Sequence, residues 1–337
     1  MRAAARATLD KRYLDAWFLG AMTVGAIVLF RLIEPSWLNS QTLQSIVTQN
    51  GPLAIVAMAM TFSIVSRHID LSPGSMLALS GVVAGVVYRD HGSLALGLVA
   101  ALGICLASGL ASGIFVARLG LNAIMVTLAT YIWARGLALG FTNGDPIVVD
   151  TSLTSVVNHT VGGFTIVAPL VLGVYLAGWF TLSRTRFGRY THAMGGDPLG
   201  ARRAGIRVGL YTTLIFVLMG VATWLASMIV VGQLASAQPY AAPSLELDAI
   251  IAVIIGGTRL AGGEGNVGRT LLGVAFISIL NSGLLNLGLT DAYYQAYKGA
   301  ALLAVLSAQI LLRRRIAEDV RRRQEHERLL AEARGYA

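Results

Sequence analysis

Residues 183–208 read SRTRFGRYTHAMGGDPLGARRAGIRV and separate two long apolar runs near the middle of the chain. This stretch carries six arginines against a single acid, Asp197. In so apolar a chain, a polar segment of this length lies in water. Its arginine excess predicts the cytoplasmic side, because loops rich in Lys and Arg stay inside. Its interior predicts a short helix with Asp197 as N-cap, Pro198 at the first helical position and Gly205 as the stop. We interpret it as a docking element.

The composition is typical of a polytopic helical membrane protein. Of the 337 residues, 55% are hydrophobic and 13% are charged, and the mean hydropathy is +0.67. Soluble domains carry about a quarter charged residues. The net charge of +9 does not indicate a nucleic-acid partner, since nearly all of the 26 Lys and Arg residues fall on one side of the topology below. The exceptions are Arg31, Arg89, Arg135 and Lys298.

Apolar runs of about 20 residues predict an all-α fold of about ten transmembrane helices, with both termini in the cytoplasm. The spans are predicted at 14–33, 43–66, 72–88, 94–117, 122–141, 164–182, 209–232, 247–261, 267–288 and 293–312. Polar or glycine-rich stretches predict broken helices near 67–76 and 256–268. The domains are a cytoplasmic segment at 1–13, a transmembrane domain at 14–312 that includes loop 183–208, and a charged cytoplasmic helical tail at 313–337.

Enzyme signatures are absent from the sequence. There is no G-x-S-x-G or H-E-x-x-H motif, and the five histidines have no ligand-like spacing. The single cysteine, Cys105, lies in an apolar run. Neither lysine, Lys11 or Lys298, follows a glycine-rich phosphate loop, so the chain has no Walker A motif. We expect no catalytic residue, no metal site and no cofactor in this chain.

Carriers driven by protons or sodium commonly place ionisable groups near the bilayer midplane. Every carboxylate of this sequence falls in a loop or at the end of a span, and Asp70 and Asp248 come closest, each in the first turn of a short span. A pore without a coupling charge needs energy from elsewhere. Together with the docking loop, this favours a permease driven by a separate subunit.

Four polar residues are candidates for lining or shaping the translocation pathway: Asn50, Asp70, Ser72 and Asp248. The alternative for them is capping and kink chemistry. The similar openings Ile69-Asp70-Leu71 and Leu247-Asp248-Ala249 also suggest two inverted repeats that begin on opposite faces of the membrane. Chance is the alternative to duplication.

Three motifs resemble those of the membrane permeases of ribose-type carbohydrate ABC importers. The first, IDLSPGS at 69–75, looks like the family's I-D-L-S-V-G-S, although Arg67-His68 stands where Gly-Gly is usual. The second, FGRY…AMGGD…ARRAGI at 187–206, is similar to the family's cytoplasmic loop. The third runs from ELDAI at 246–250 through a glycine-rich stretch to NSGL at 281–284. The resemblance covers residues 45–312.

The resemblance implies a multi-pass protein of the bacterial inner (cytoplasmic) membrane that forms a pore in the lipid with a second copy or a paralogue. A cytoplasmic ABC ATPase, which holds ATP and Mg, would dock on 183–208. A periplasmic binding protein would deliver a sugar or related small polar solute to the outer loops 142–163 and 233–246. No nucleic-acid partner is implied.

The resemblance also implies roles for particular residues. The ATPase-coupling surface is assigned to Gly195, Gly196, Asp197, Ala201, Ala204 and Gly205. Helix breaks and close packing are assigned to Gly256, Gly257, Gly262, Gly263 and Gly265. Arg202 and Arg203 are interpreted as positive-inside anchors, with ATPase contact as the alternative.

Other functions stay open at this point. Within the ABC class, the rivals are permeases for nucleosides or branched-chain amino acids. Outside it, the rivals are a stand-alone secondary carrier or facilitator and a membrane enzyme acting on lipid-linked substrates. The identity of the solute and the choice between homodimer and heterodimer are open as well.

Overall fold

The computed structural model of the chain describes residues 2–149, 151–290, 293–305 and 307–308. The described part is built almost wholly of α-helices. It divides into a first compact unit that ends at Ile279 and a second that begins at Leu280. The predicted tail 313–337 and the end of the last predicted span lie outside the described residues.

The elements follow the predicted apolar runs closely. The helices are α1 (Arg2–Ile33), α2 (Ser40–Val65), α3 (Pro73–His91), α4 (Leu94–Ala117), α5 (Ala123–Thr142), α6 (Thr151–Val157), α7 (Val167–Arg184), α8 (Arg186–Gly196), α9 (Pro198–Arg203), α10 (Val208–Leu234), α11 (Leu245–Ile255) and α12 (Val267–Asn286). Residues 293–305 and 307–308 are also helical. The strands are β1 (Ile147–Val148), β2 (Thr160–Val161), β3 (Phe164–Thr165) and β4 (Ser236–Ala237).

Among the described residues, five helices are long and apolar enough to cross a membrane alone: α4, α5, α7, α10 and α12. Helix α2 makes a sixth span if its two bent halves count as one, and α1 adds a shorter apolar stretch, Trp17–Ile33. The prediction of a helical, multi-pass membrane protein is therefore confirmed. The count of about ten spans is not confirmed, and the side on which each terminus lies stays a prediction.

Helix α2 bends by 47° between Gln49 and Gly51. The bend lies where the sequence reads Asn50-Gly51-Pro52, because a proline inside a helix removes a backbone donor and clashes with the preceding turn. Asn50 donates from Nδ2 to the carbonyl of Ile46 at 2.9 Å, within its own helix. The span predicted at 43–66 is therefore bent within the membrane-length helix.

Helix α3 begins deep in the first unit. Ser227 Oγ of α10 donates to the carbonyl of Leu77 at 2.7 Å, and Gly85 packs against Ala237, just beyond the end of α10. The two helices therefore run parallel, and Pro73, one turn before Leu77, lies beside the middle of α10. The extended connection 66–72 carries the chain from the end of α2 to this point.

The start of α3 is not capped as predicted. Ser72 occupies the N-cap position and Pro73 the first helical position, but the Ser72 side chain makes no capping hydrogen bond to the helix. It donates instead to Asp70 Oδ1 at 2.6 Å, and the Ser72 backbone N–H donates to the same oxygen at 2.9 Å. Asp70 therefore shapes the entry to α3, because its carboxylate is a stronger acceptor than a hydroxyl.

Helix α11 is too short to be the span predicted at 247–261. Its 11 residues rise about 16 Å, roughly half of the hydrocarbon thickness of about 30 Å. The helix ends at Ile255 because Gly256 forms its C-cap and Gly257, at a φ of 86°, leaves the helical region. An irregular segment lies on each side of the helix.

The N-termini of α3 and α11 meet inside the first unit. The carboxylate of Glu246 lies against Gly74, where an added Cβ would overlap Glu246 Oε2. From this point α3 runs towards the end of α10, whereas α11 runs towards the end of α2. The two openings therefore have opposite directions and begin side by side, whereas the sequence predicted that they begin on opposite faces of the membrane.

The two loops predicted to lie outside are joined by a short antiparallel sheet. Strand β1 pairs with β4, with Ile147 opposite Ala237 and Val148 opposite Ser236. Ile147 and Ala237 are buried in a cluster with Val149 and Val231. The sequence did not predict this sheet, because each strand has only two residues and the partners are about 90 positions apart.

Candidate cytoplasmic coupling site

The arginine-rich segment folds into two short helices, α8 and α9. Asp197 is the N-cap of α9, and its Oδ1 accepts hydrogen bonds from the backbone N–H groups of Leu199 at 3.1 Å and Gly200 at 3.0 Å. Pro198 is the first helical residue, and Gly205 has a φ of 80° just past the helix end. A cap of this kind contributes about 1 kcal/mol. The predicted local structure is confirmed.

Most of the predicted coupling residues face solvent. Gly196, Asp197, Ala204 and Gly205 are exposed, as are Arg202 and Arg203, whereas Gly195 and Ala201 are buried. No motif in the sequence singles out Leu199, whose side chain is 64% exposed on α9. An apolar side chain this exposed, flanked by the arginines on a water-facing helix, is the kind of group that protein interfaces bury.

Gly195 has a different neighbour from the one predicted. We expected its small size to admit a partner protein, but it faces inward, and a Cβ at this position would overlap the carbonyl oxygen of Val65 and come within 2.7 Å of the Gly263 backbone nitrogen. Its small size therefore admits the end of α2 from the same chain. The backbone neighbours are 130 and 68 positions away in sequence, so no local pattern identified them.

The segment between α11 and α12, residues 256–266, is called the glycine loop below. Gly262 and Gly263 adopt φ values of 78° and 77°, which side chains rarely tolerate. Arg259 closes the loop by donating from Nη1 to Glu264 Oε1 at 3.0 Å and from its backbone N–H to the Glu264 carbonyl at 3.0 Å. The predicted helix break and close packing are confirmed.

The backbone of the glycine loop packs closely against side chains or backbone of its neighbours. A Cβ at Gly256 would lie 2.7 Å from the carbonyl oxygen of Arg269, and one at Gly265 would overlap the Val65 side chain. Both contacts hold the loop against α12 and α2. At these positions the missing side chain therefore allows the close packing.

His68 lies in the connection 66–72, outside the spanning helices. Burial lowers the pKa of His68 to about 4, although a hydrogen bond with the Ser66 backbone acts to raise it. The Nδ1 atom lies 3.0 Å from Ser66 Oγ, and the ring packs edge-on against Phe216 at 5.9 Å. The imidazole is therefore neutral at physiological pH, and it serves packing rather than charge.

Two of the four predicted pathway residues come together. Asp70 and Ser72, 3% and 7% exposed, line a cavity of about 10 Å³ with hydroxyl-bearing residues of α4 and α10, which is room for about one water molecule. The lining hydroxyls belong to Ser108, Ser112 and Thr223. Asn50 and Asp248 do not line this cavity; Asn50 lies at the bend of α2, and Asp248 is buried on α11.

A second polar cluster surrounds the start of α11, and the sequence analysis missed it. Arg135 of α5 donates from Nη1 to the carbonyl of Pro239 at 2.6 Å and of Ala241 at 3.3 Å. It also interacts electrostatically with Glu246, which is 6% exposed and for whose Oε2 no hydrogen-bond partner lies among the described residues. Arg135 thus anchors the irregular segment before α11.

The carboxylates are deeper than the sequence indicated. Asp70, Glu246 and Asp248 are all buried, although each lies next to a helix N-terminus as expected. The carboxylates do fall in a connection or in the first turn of a helix, as predicted, but the irregular connections carry them into the interior of the first unit. Among the described residues there is no group of three or more His, Cys, Asp or Glu that could hold a metal ion.

A family model described as the permease component of the branched-chain amino acid transport system matches residues 42–306. The chain belongs to this permease family. The resemblance to ribose-type permeases, drawn from three motifs, is confirmed by relatives that align over most of both chains.

The ribose import permease protein RbsC of Escherichia coli (strain K12) is 37% identical to this permease over 310 residues, which cover 88% of this chain and 96% of the relative. RbsC of Bacillus subtilis (strain 168) is 35% identical over 293 residues, covering 85% and 89%. The autoinducer 2 import system permease protein LsrC of Escherichia coli (strain K12 / DH10B) is 31% identical over 312 residues, covering 89% of each chain. No solved structure matches the permease.

Proposed function

We propose that this chain is the permease subunit of an ATP-driven importer that moves a sugar or a related small polar solute across the bacterial cytoplasmic membrane. The observation that carries the proposal is the arrangement of α8 and α9. Their outer side is exposed, whereas their inner side packs on the end of α2 and on the glycine loop. Such a segment receives a force from a partner and passes it to the helices behind it.

The partner proposed for α8 and α9 is a cytoplasmic ABC ATPase that holds ATP and Mg, since this chain has no Walker A motif. Leu199 would enter an apolar groove of the ATPase, surrounded by the polar and charged rim of Asp197, Arg202 and Arg203. Protein interfaces commonly combine an apolar centre with a polar rim in this way. The relatives' names describe import permeases, which are transport subunits and not enzymes.

The surface proposed for a periplasmic binding protein is the joint surface of the two outer loops. The β1–β4 sheet brings residues 147–148 beside 236–237. Val148 is 78% exposed and Tyr240 is 64% exposed, so both present apolar surface away from the core. A binding protein seated there would contact both loops at once.

Two alternatives keep some support. The description of the family model names branched-chain amino acid transport, which favours an amino-acid permease, whereas the relatives at 34–37% identity are named for ribose. The buried carboxylates Asp70, Glu246 and Asp248 are the observation that favours a stand-alone carrier. The exposed segment α8–α9 argues against a stand-alone carrier, because such a carrier would not need it.

The first test is purification of the tagged chain from its native membranes in mild detergent, with mass spectrometry of the proteins that accompany it. We expect an ATPase with a Walker A motif, and its loss in Gly196→Leu, because the space around Gly196 is open to a partner and empty of this chain's own atoms. The matched control is Gly103→Leu in α4, where the surroundings are equally open. Recovery of the chain alone, with uptake into liposomes that needs no ATP, would favour the carrier.

The second test concerns the solute. Cells that carry the complete transport system are given labelled ribose together with an excess of unlabelled ribose, leucine or adenosine. We expect competition by the sugar alone. Competition by leucine or adenosine, but not by sugars, would replace the sugar proposal with the corresponding alternative.

A further inference from the structure

Three stretches of backbone that are far apart in sequence meet close to α9: the end of α2, the end of α8 and the glycine loop. The Gly263 backbone N–H donates to the carbonyl of Val65 at 2.8 Å. His192 Nδ1 lies 3.0 Å from the carbonyl of Gly263, and the bare Cα of Gly195 leaves room for both neighbours. This meeting point is called the three-way junction below.

The Arg67 side chain spans the three-way junction. Its Nε donates to the carbonyl of Ala261 in the glycine loop at 2.6 Å, and its Nη2 donates to the carbonyl of Gly196 at 3.2 Å. Gly196 immediately precedes the N-cap of α9, and Ala261 lies midway between α11 and α12. One side chain thus holds the docking segment and the glycine loop to the end of α2.

The backbone conformation at Arg67 indicates that this position requires the arginine side chain rather than glycine. Its φ of 68° lies in the left-handed region, where a side chain adds strain and glycine adds none. Neither acceptor is a carboxylate, so the arginine does not serve to neutralise a charge. Its planar guanidinium instead reaches two carbonyls in fixed directions, which the point charge of a lysine cannot do.

We propose that Arg67 is a positioning residue for transport, linking movement of α8–α9 to the glycine loop and to the connection that leads to Asp70. This inference rests on the proposed function, in which an ATPase acts on α8–α9. When the ATPase shifts the end of α8, the two hydrogen bonds of Arg67 carry α2 and the glycine loop with it. Because α11 begins beside α3, the same shift reaches the N-termini of α3 and α11.

The test uses the complete transporter reconstituted in liposomes, and the readout is solute imported per ATP hydrolysed. In Arg67→Met we expect this ratio to fall by roughly two- to thirty-fold, the range in which single residues change coupling, while the ATPase still co-purifies. Arg67→Lys, which keeps the charge and one donor group, should recover only part of the ratio. Arg118→Met is the matched control, since Arg118 is an exposed arginine after α4 whose side chain has no hydrogen bond to any described residue.

The ratio separates coupling from folding. A misfolded variant lowers import and stimulated hydrolysis in proportion, whereas an uncoupled variant hydrolyses ATP without import. If Arg67→Met does not fold, Arg67→Gly removes the side chain and suits the left-handed backbone. An unchanged ratio in a folded Met or Gly variant overturns the inference. Absence of ATP-driven import by the wild-type transporter overturns the proposed function itself.

Discussion

Gly195→Ala tests the three-way junction most directly. The new methyl group would overlap the carbonyl oxygen of Val65 and come within 2.7 Å of the Gly263 nitrogen, the two atoms that are joined by a hydrogen bond of 2.8 Å. Forcing a methyl group into a packed site costs about 1–3 kcal/mol, and losing the hydrogen bond costs about 1 kcal/mol. Alanine returns at most about 1 kcal/mol because it favours a helix more than glycine does.

The net destabilisation of the junction is therefore about 1–3 kcal/mol. The assay is hydrogen exchange of the peptide that contains Gly263, read by mass spectrometry on the purified protein. We expect exchange to accelerate by roughly 5- to 140-fold, since each 1.4 kcal/mol changes an opening equilibrium about tenfold.

Gly196→Ala is the control for this prediction, because the next residue of the same helix has no atom within 4 Å of an added Cβ. Exchange at Gly263 should be unchanged in that variant. Equal exchange in Gly195→Ala and the wild type would refute the close approach of α8 to the end of α2, and with it the mechanical reading of the junction.

Three further predictions concern other parts of the chain. Leu199→Glu should reduce the ATPase recovered by co-purification without lowering the melting temperature, because the side chain is 64% exposed. Arg135→Met should lower thermal stability by about 1–3 kcal/mol, since it leaves the carbonyls of Pro239 and Ala241 without their donor. Stability should also fall as the pH drops from about 6.5 towards 4, because burial lowers the folded-state pKa of His68 to about 4 and the unfolded chain then binds more protons. His68→Gln should remove that part of the slope.

Each of these three has a contrary outcome. An ATPase yield for Leu199→Glu that matches the wild type would remove Leu199 from the docking surface. A melting temperature for Arg135→Met equal to that of the wild type would mean that the segment before α11 is held by other contacts. Unfolding curves of the wild type and His68→Gln that change with pH in parallel would show that His68 stays accessible to protons.

The sequence predicted the positions of most helices because apolar runs and turn residues are local signals. Helix α4 was predicted at 94–117 and found at Leu94–Ala117, and the cap of α9 by Asp197 followed from the order Asp-Pro alone. The prediction of a span at 247–261 was wrong because local signals do not mark where this helix begins and ends. Its apolar pattern continues through Gly256 and Gly257, and the composition does not show that the helix stops there and starts far from the surface.

For the candidate site, the sequence predicted the local structure but not the contacts. The arginine-rich segment was selected by its charge, since charge asymmetry needs no knowledge of the fold. Leu199 could not be selected from the sequence, because a single leucine in a polar helix is common and only its exposure distinguishes it. Arg67 was noted as unusual for replacing glycine, yet its two acceptors are 194 and 129 positions away.

Sequence alone therefore determined the class of protein, the place of the docking segment and the family resemblance, because hydropathy, charge and short motifs are written within a few residues of one another. Tertiary structure alone decided that α3 and α11 start side by side, that Gly195 receives Val65 and that Arg67 joins three stretches of backbone. These contacts depend on how helices far apart in the chain pack together. The packing fixes which small residue faces which carbonyl, and no local pattern encodes that choice.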